Sequence, residues 1–215
     1  MRRLALAASL FTAACGGGRS APAPTPPPVT DQPLNSFASL RLIVLPVQGL
    51  RGEDVLGWGA RITDRRTILA SLDSALDVEF RERGLATAWT LMIDLARTAR
   101  RNPLYATQPG EIRAGDAVRV LERRREAEIP EPVGSQLRTL AGFHDARHAL
   151  VPVEVRFESG SAAGSGRAVL RVAVLDVRAS RLVFIGDVGG PDATGYSPSL
   201  VTGLARRFAD LVAPR

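Results

Sequence analysis

Three neighbouring apolar runs in the last third of the chain constrain its fold most strongly. Residues 149–158 alternate apolar and polar side chains with the period of two that is typical of a half-buried strand. The side chains predicted to share the buried face are Val151, Val153, Val155 and Phe157. Residues 167–178 are apolar on both faces, which favours an inner strand, and only two residues separate them from the run 181–188. The pattern predicts a three-stranded antiparallel meander.

Two helices are predicted to flank this meander along the chain. Residues 67–83 carry apolar side chains at helical spacing, and Gly84 is well placed to end the helix. Near the carboxyl terminus, Ser197 is predicted as an N-cap and Pro198 as the first helical residue. The apolar stripe that follows contains Leu200, Leu204, Phe208, Leu211 and Val212. Both helices should pack on the sheet.

The remaining segments complete the expected architecture. Short apolar runs at 40–47 and 85–91 indicate two further strands. Helical patterns at 92–101, 116–128 and 133–143 form a helical insert near 92–143. The sequence therefore predicts an α+β fold, an α/β two-layer arrangement within a single domain over 37–215. Its mixed sheet should have about five strands, ending in the antiparallel meander and packed by the early helix and the C-terminal helix.

The amino terminus has the parts of an export signal, which we assign to residues 1–14. Arg2 and Arg3 supply the charged start, residues 4–11 are apolar, and small residues precede Cys15. The apolar run is too short for a permanent membrane-spanning helix. Cys15 is the single cysteine of the chain, so disulfides have no place in this fold.

The arrangement of small residues before Cys15 resembles the lipobox of bacterial lipoproteins. The resemblance implies cleavage before Cys15, a diacylglycerol on its sulfur and an acyl chain such as palmitate on the new amino group. Gly16, rather than aspartate, follows the cysteine, and by the enterobacterial sorting rule this favours the outer membrane, facing the periplasm. An ordinary cleaved signal with an unmodified thiol is the alternative.

Residues 15–36 read as a tether between this anchor and the folded domain. Glycines follow Cys15 directly, and a run rich in proline follows them. Such a composition combines flexible and extended segments and offers few apolar side chains to bury. We expect a disordered spacer, with a proline-rich ligand for a partner as the alternative.

The charge of the chain could suggest a nucleic-acid partner. The formal net charge is +6, and every one of the 28 basic residues is arginine. Removal of Arg2 and Arg3 with the signal would leave 6 − 2 = +4. Single-stranded nucleic-acid interfaces also carry aromatic side chains among the basic ones, and no such pattern occurs here. We expect no nucleic-acid partner and attribute the arginines to the solvated surface.

Only a few residues are candidates for chemistry. His144 and His148 are four apart and could begin a zinc site, but no cysteine is available as a third ligand. Asp176 and Asp187 could pair as a general acid and base, although aspartates at strand ends are ordinary. We therefore predict no catalytic residue, no metal site and no cofactor. A metal-dependent hydrolase that uses the two histidines remains a rival hypothesis.

The order of elements resembles a known family of envelope domains. The chain looks like the amino-terminal domain of TolB in the order of its elements. These are a strand at 40–47, a helix that ends before Gly84, a second strand, and a late meander closed by a helix. The curli-secretion lipoprotein and the lipoprotein activators of penicillin-binding proteins carry related domains. The resemblance implies a non-enzymatic accessory or scaffold that binds envelope proteins, and it carries over no site residue. A glycan-binding or peptidoglycan-binding module is the alternative.

Overall fold

The computed structural model of the chain describes residues 34–52, 54–124 and 128–214. Its centre is a five-stranded sheet with the order β2-β1-β3-β4-β5. The strands are β1 (Leu42–Val44), β2 (Trp89–Thr90), β3 (His148–Ser159), β4 (Gly166–Asp176) and β5 (Arg181–Gly189). β1 runs parallel to both β2 and β3, whereas β3, β4 and β5 are antiparallel. The predicted α+β fold, with its mixed sheet and its C-terminal meander, is confirmed.

Five α-helices pack around this sheet within the described ranges. They are α1 (Arg65–Glu82), α2 (Met92–Arg101), α3 (Ala114–Arg123), α4 (Val133–Gly142) and α5 (Ser199–Val212). α1 begins where the side chain of Asp64 accepts hydrogen bonds from the backbone N–H groups of Arg66 and Thr67, at 3.0 and 3.1 Å. It is followed by Gly84 at φ +72°, a left-handed conformation that glycine adopts without strain.

The first face of the sheet is covered by α1 and α5. Here Phe80 lies between Trp89 and Phe208, with edge-to-face ring separations of 5.2 and 5.3 Å. All three rings are buried, and the indole N–H of Trp89 donates a hydrogen bond of 3.2 Å to the carbonyl oxygen of Phe37. This aromatic cluster ties both helices to the parallel end of the sheet.

The second face is covered by α2, α3 and α4, but only along part of its length. The cluster of buried residues on this side is built from aliphatic side chains and many alanines. Those alanines are Ala99, Ala106, Ala114, Ala117, Ala141, Ala146, Ala149 and Ala173. Small side chains let the three short helices approach the sheet closely. Beyond the helices, the same face continues as a row of charged side chains.

A β-bulge explains why that face changes character. The prediction that Val151, Val153, Val155 and Phe157 share one face is wrong, because the register of β3 shifts between Pro152 and Glu154. Val151 and Val153 therefore pack on the second face, while Val155 and Phe157 pack on the first. One extra residue in a strand reverses the alternation of everything after it. The bulge places Glu154 and the polar residues that follow it on the second face.

Three other local predictions need correction. Residues 85–91 do not form one strand: Leu85–Thr87 are a 3₁₀ turn, and only Trp89–Thr90 are a strand. The helix predicted over 116–128 begins earlier, at Ala114, and ends at Arg123. Helix α5 begins at Ser199, with Pro198 rather than Ser197 at the N-cap position, and the hydroxyls of Ser197 and Ser199 share a hydrogen bond of 2.7 Å.

Two features of the chain bear on the predicted anchor and tether. Leu34–Phe37 form a 3₁₀ turn whose Leu34 and Phe37 are buried, at the predicted junction of tether and domain. The predicted signal, Cys15 and the rest of the tether lie outside the described residues. Over the described ranges, no helix combines the length and apolar character required to span a bilayer.

Candidate interaction surface

An exposed apolar surface lies along α2. A cleft of about 310 Å³ separates this helix from the 3₁₀ turn Pro109–Glu111. Apolar side chains form much of its wall, among them Pro46, Met92, Ile93 and Ala96. Ile93 keeps 52% of its surface exposed there, although it occupies the first turn of a helix that is otherwise well anchored. The cleft can receive an apolar side chain of a partner.

The α2 tip, which we define as residues 97–107, continues this surface. Leu104 is 88% exposed and Tyr105 is 76% exposed, in the turn that follows the helix. The turn is held in place because the carbonyl oxygen of Asn102 accepts the backbone N–H groups of Tyr105 and Ala106, at 3.1 and 2.9 Å. Ala106 is buried beneath it. Leu104 and Tyr105 are therefore presented outward by an ordered turn.

Arginines with no ionic partner accompany these two side chains. In the described part of the chain, Arg100 and Arg101 are exposed and form no ion pair. Arg97 does pair, with Asp94 at 2.6 Å, and Asp94 also accepts a 2.8 Å hydrogen bond from Arg81. The hydrogen bond from Arg81 is the main reason that the pKa of Asp94 is lowered. The tip itself contains three arginines and no acidic residue.

The charged part of the second sheet face is organised differently. We call it the ion-paired face: Arg51, Arg119, Arg156, Arg171, Glu122, Glu154, Glu158 and Asp187. Glu154 binds Arg51 at 2.8 Å and Arg119 at 3.2 Å. Arg156 binds Glu158 at 2.7 Å and Asp187 at 2.9 Å, and Arg171 pairs with Glu122. Each charge is matched by a neighbour, so the surface offers few free charges to a partner.

Asp73 is an unusual acid that no sequence pattern singled out. Its carboxylate accepts a 2.8 Å hydrogen bond from the backbone N–H of Val47, just beyond β1. Burial of this group, against which that single hydrogen bond acts, raises its pKa to about 7. The sequence feature that could have indicated its burial is its position in α1 directly after the buried Leu72. Asp73 is therefore partly protonated near neutral pH, a property that belongs to the packing of α1 on the sheet.

The two histidines lie in different environments. His144 follows α4 and is influenced by the charge of Asp94, whereas His148 begins β3 and is influenced by Asp176 and Arg147. Burial lowers the pKa of both, and neither His144 Nε2 nor His148 Nδ1 has a hydrogen-bond partner. No group of three or more metal-ligating side chains occurs within residues 34–52, 54–124 and 128–214.

The two aspartates considered as an acid–base pair have separate structural roles. Asp176 is buried, binds Arg147 at 2.7 Å and accepts the backbone N–H groups of Arg178 and Ala179 in the tight turn between β4 and β5. Asp187 lies opposite Arg171 in the sheet and binds Arg156. The structure does not bring these two carboxylates together.

Comparison with known proteins adds little beyond this geometry. No protein-family model and no curated protein matches the sequence. Among solved structures, the chain is similar to a PelC dodecamer from Paraburkholderia phytofirmans, with 13% sequence identity. The match covers 82% of this chain and 90% of that one, with a TM-score of 0.35. A similarity at that level carries no argument about function.

Proposed function

We propose that this chain is a lipid-anchored lipoprotein of the bacterial envelope, held at the outer membrane and facing the periplasm. Its domain acts as a non-enzymatic accessory or scaffold through contacts with other envelope proteins. The single observation that carries the proposal is the position of Cys15, the sole cysteine, directly after a charged start, an apolar run and small residues.

The α2 cleft is the proposed site of protein contact. It combines an apolar wall with exposed Ile93, and apolar pockets rimmed by polar residues are typical of protein interaction sites. An apolar side chain of a partner could be buried beside Pro46 and Met92 without a rearrangement of the domain, because the cleft is already formed. The ion-paired face, whose charges are already matched, is a poorer candidate.

Metabolic labelling with a fatty acid tests the anchor. The full chain is expected to incorporate the label and to fractionate with membranes, whereas the Cys15→Ser variant should do neither. An unmodified Cys15 in a soluble mature chain would contradict the proposed location.

Affinity capture from detergent-solubilised membranes tests the contact site. The Ile93→Asp variant is expected to lose an envelope partner that the parent chain retains, because a carboxylate would have to be desolvated in the cleft. Val78→Asp is the matched control, since Val78 on α1 is 54% exposed and lies on the other side of the sheet. Equal recovery of partners by all three chains would contradict this use of the cleft.

A further inference from the structure

We propose that the α2 tip docks onto an anionic lipid surface. In this arrangement Leu104 and Tyr105 enter the headgroup region, and Arg100 and Arg101 lie against lipid phosphates. The contact would orient the domain on the bilayer and would add to the proposed anchor at Cys15. It shares Arg100 with the wall of the cleft that is the proposed protein contact, and its other residues lie outside that cleft.

The first support is that the exposure of Leu104 and Tyr105 is built into the fold. The turn is closed by two backbone hydrogen bonds to Asn102, and the side-chain amide of Asn102 donates a further bond of 2.9 Å to the carbonyl oxygen of Thr98. The exposed side chain of Leu104 buries little surface against the described domain and so contributes little to its stability. Adjacent exposed apolar side chains of this kind mark an interaction site.

The second support is the charge behind those side chains. Arg97, Arg100 and Arg101 stand in the last two turns of α2, directly before the apolar turn. Arg100 and Arg101 make no ion pair with any described residue, in contrast to the four arginines of the ion-paired face. Of the acidic residues nearby, Asp94 is already bound by Arg81 and Arg97, and Glu111 borders the same turn. Unpaired basic side chains beside an apolar tip complement an anionic bilayer surface.

The chemistry of the tip favours lipid over a protein partner. Tyrosine is enriched at membrane–water interfaces, where its ring is buried and its hydroxyl stays hydrated. Arginine stems can lie along apolar surface while the guanidinium reaches a phosphate. A protein anchor residue fills a pocket, whereas Leu104 and Tyr105 project from a turn that has unpaired arginines behind it.

The predicted tether is compatible with this contact. Nineteen peptide steps separate Cys15 from Leu34, which at full extension span at most about 65 Å. A domain of this size has a diameter of about 40 Å. Any face of the domain can therefore reach the membrane that holds the anchor. A tethered domain also meets the bilayer at high effective concentration, so a weak tip contact is sufficient. This step alone rests on the proposed function.

Site-specific fluorescence on the full chain tests the proposal without the acyl anchor. The Cys15→Ser, Leu104→Cys variant has a single thiol, which is labelled with an environment-sensitive fluorophore. Mixing with vesicles of phosphatidylcholine that contain phosphatidylglycerol should shift the emission to the blue, and brominated lipids should quench it. The matched control is Cys15→Ser, Val78→Cys, whose label sits on the opposite side of the sheet and should not respond.

The charge contribution has its own pair of variants. Arg100→Gln with Arg101→Gln should weaken partitioning onto the anionic vesicles about 30-fold, because each arginine near such a surface contributes about fivefold. Arg66→Gln with Arg207→Gln removes the same charge from exposed positions on α1 and α5 that form no ion pair with a described residue, and should leave partitioning nearly unchanged.

Several results would overturn the proposal. They are no response of the label at position 104, an equal response at position 78, or an equal response on pure phosphatidylcholine vesicles. Because the probe chain lacks Cys15, these outcomes are independent of the fatty-acid labelling experiment. A chain that incorporates fatty acid but shows no signal at position 104 would retain the anchor and lose the docking tip. The converse result would retain the tip and lose the anchor.

Discussion

The two faces of the sheet are built from different side chains. Every ring in the buried core of the described chain packs on the first face, under α1 and α5, and the buried cluster on the second face contains no aromatic residue. The rings are Phe37, Trp58, Phe80, Trp89, Phe157, Phe184 and Phe208. The second face relies instead on short helices, alanines and aliphatic side chains. Large aromatic side chains bury the most surface per residue, so the first face should dominate stability.

The exposed apolar residues are distributed in the opposite way. Within the described residues, five of the eight large apolar side chains that remain exposed belong to the helical segment on the second face. They are Ile93, Leu104, Tyr105, Val120 and Phe143. The comparison indicates a division of labour in which one face holds the fold together and the other presents surface. The variants that test this division are measured on the full chain with Cys15→Ser.

The largest effect is expected from loss of a ring on the first face. Phe80→Ala removes the central ring of the Trp89–Phe208 cluster and should lower the free energy of unfolding by about 4 kcal/mol. Leu137→Ala in α4, equally buried on the second face, should cost about 3 kcal/mol. Urea denaturation measures both. A larger loss for Leu137→Ala would refute the proposed dominance of the first face.

Removal of one acid from an ion pair should also cost more stability on the first face than on the second. On the first face, the side chain of Arg83 is only 2% exposed and binds Glu79 and Asp210, the latter at 2.6 Å. Asp210→Ala leaves this buried guanidinium with one fewer acid and should cost about 2 kcal/mol.

The counterpart on the second face is more exposed. Asp187→Ala leaves Arg156, whose side chain is 15% exposed, still bound to Glu158, so the expected cost is about 1 kcal/mol. Urea midpoints of the two variants, taken at low and high salt, test the difference. If the two variants lose similar unfolding free energy at both salt concentrations, burial does not determine how much each ion pair stabilises the fold.

The raised pKa of Asp73 and the lowered pKa values of the two histidines should give opposite pH dependence. The folded-state pKa of Asp73, about 7, lies above its ordinary value of 3.8, so its contribution to stability is lost as pH rises through 7. The pKa values of His144 and His148 are lowered below about 6.5, so their contribution is lost as pH falls below that value. In the parent chain the two trends oppose each other.

Variants of Asp73 and of the histidines should separate these trends. Asp73→Asn keeps an acceptor for the Val47 N–H and should leave a chain that loses stability only on the acid side. His144→Gln with His148→Gln should leave a chain that loses about 1 kcal/mol from pH ~5.5 to ~8, a value reduced for the partial exposure of Asp73. Unfolding free energies across this range provide the measurement. Identical pH profiles for the two variants would contradict the assignment.

The first face was largely predictable from sequence because its signals are local. The apolar stripe of α1 and its end before Gly84 need no knowledge of distant partners. The arrangement of side chains on the second face depends on tertiary contacts. The bulge at Val153 is set by the register of β3 on β4, and no periodicity within residues 149–158 reveals it.

The candidate surface was harder to predict than the fold. Leu104 and Tyr105 follow Asn102-Pro103 in a predicted loop, and only the absence of a covering element in the described structure makes them conspicuous. The free charge of Arg100 and Arg101 likewise depends on which acids lie nearby, which composition cannot reveal when all basic residues are arginine. The location of Cys15 and its modification stay predictions, because they rest on the sequence alone.

The smallest effect on stability is expected at the α2 tip, and it is the sharpest test of the contrast. Leu104→Ser with Tyr105→Ser removes two large apolar side chains, yet the free energy of unfolding should change by less than about 0.5 kcal/mol, because both are exposed in the folded and unfolded states. Ile112→Ser, a few residues further along the chain, should cost about 3 kcal/mol because Ile112 is fully buried. Urea denaturation compares the two variants. A tip variant as destabilised as Ile112→Ser would mean that Leu104 and Tyr105 stabilise the fold and are not held outward for a partner surface.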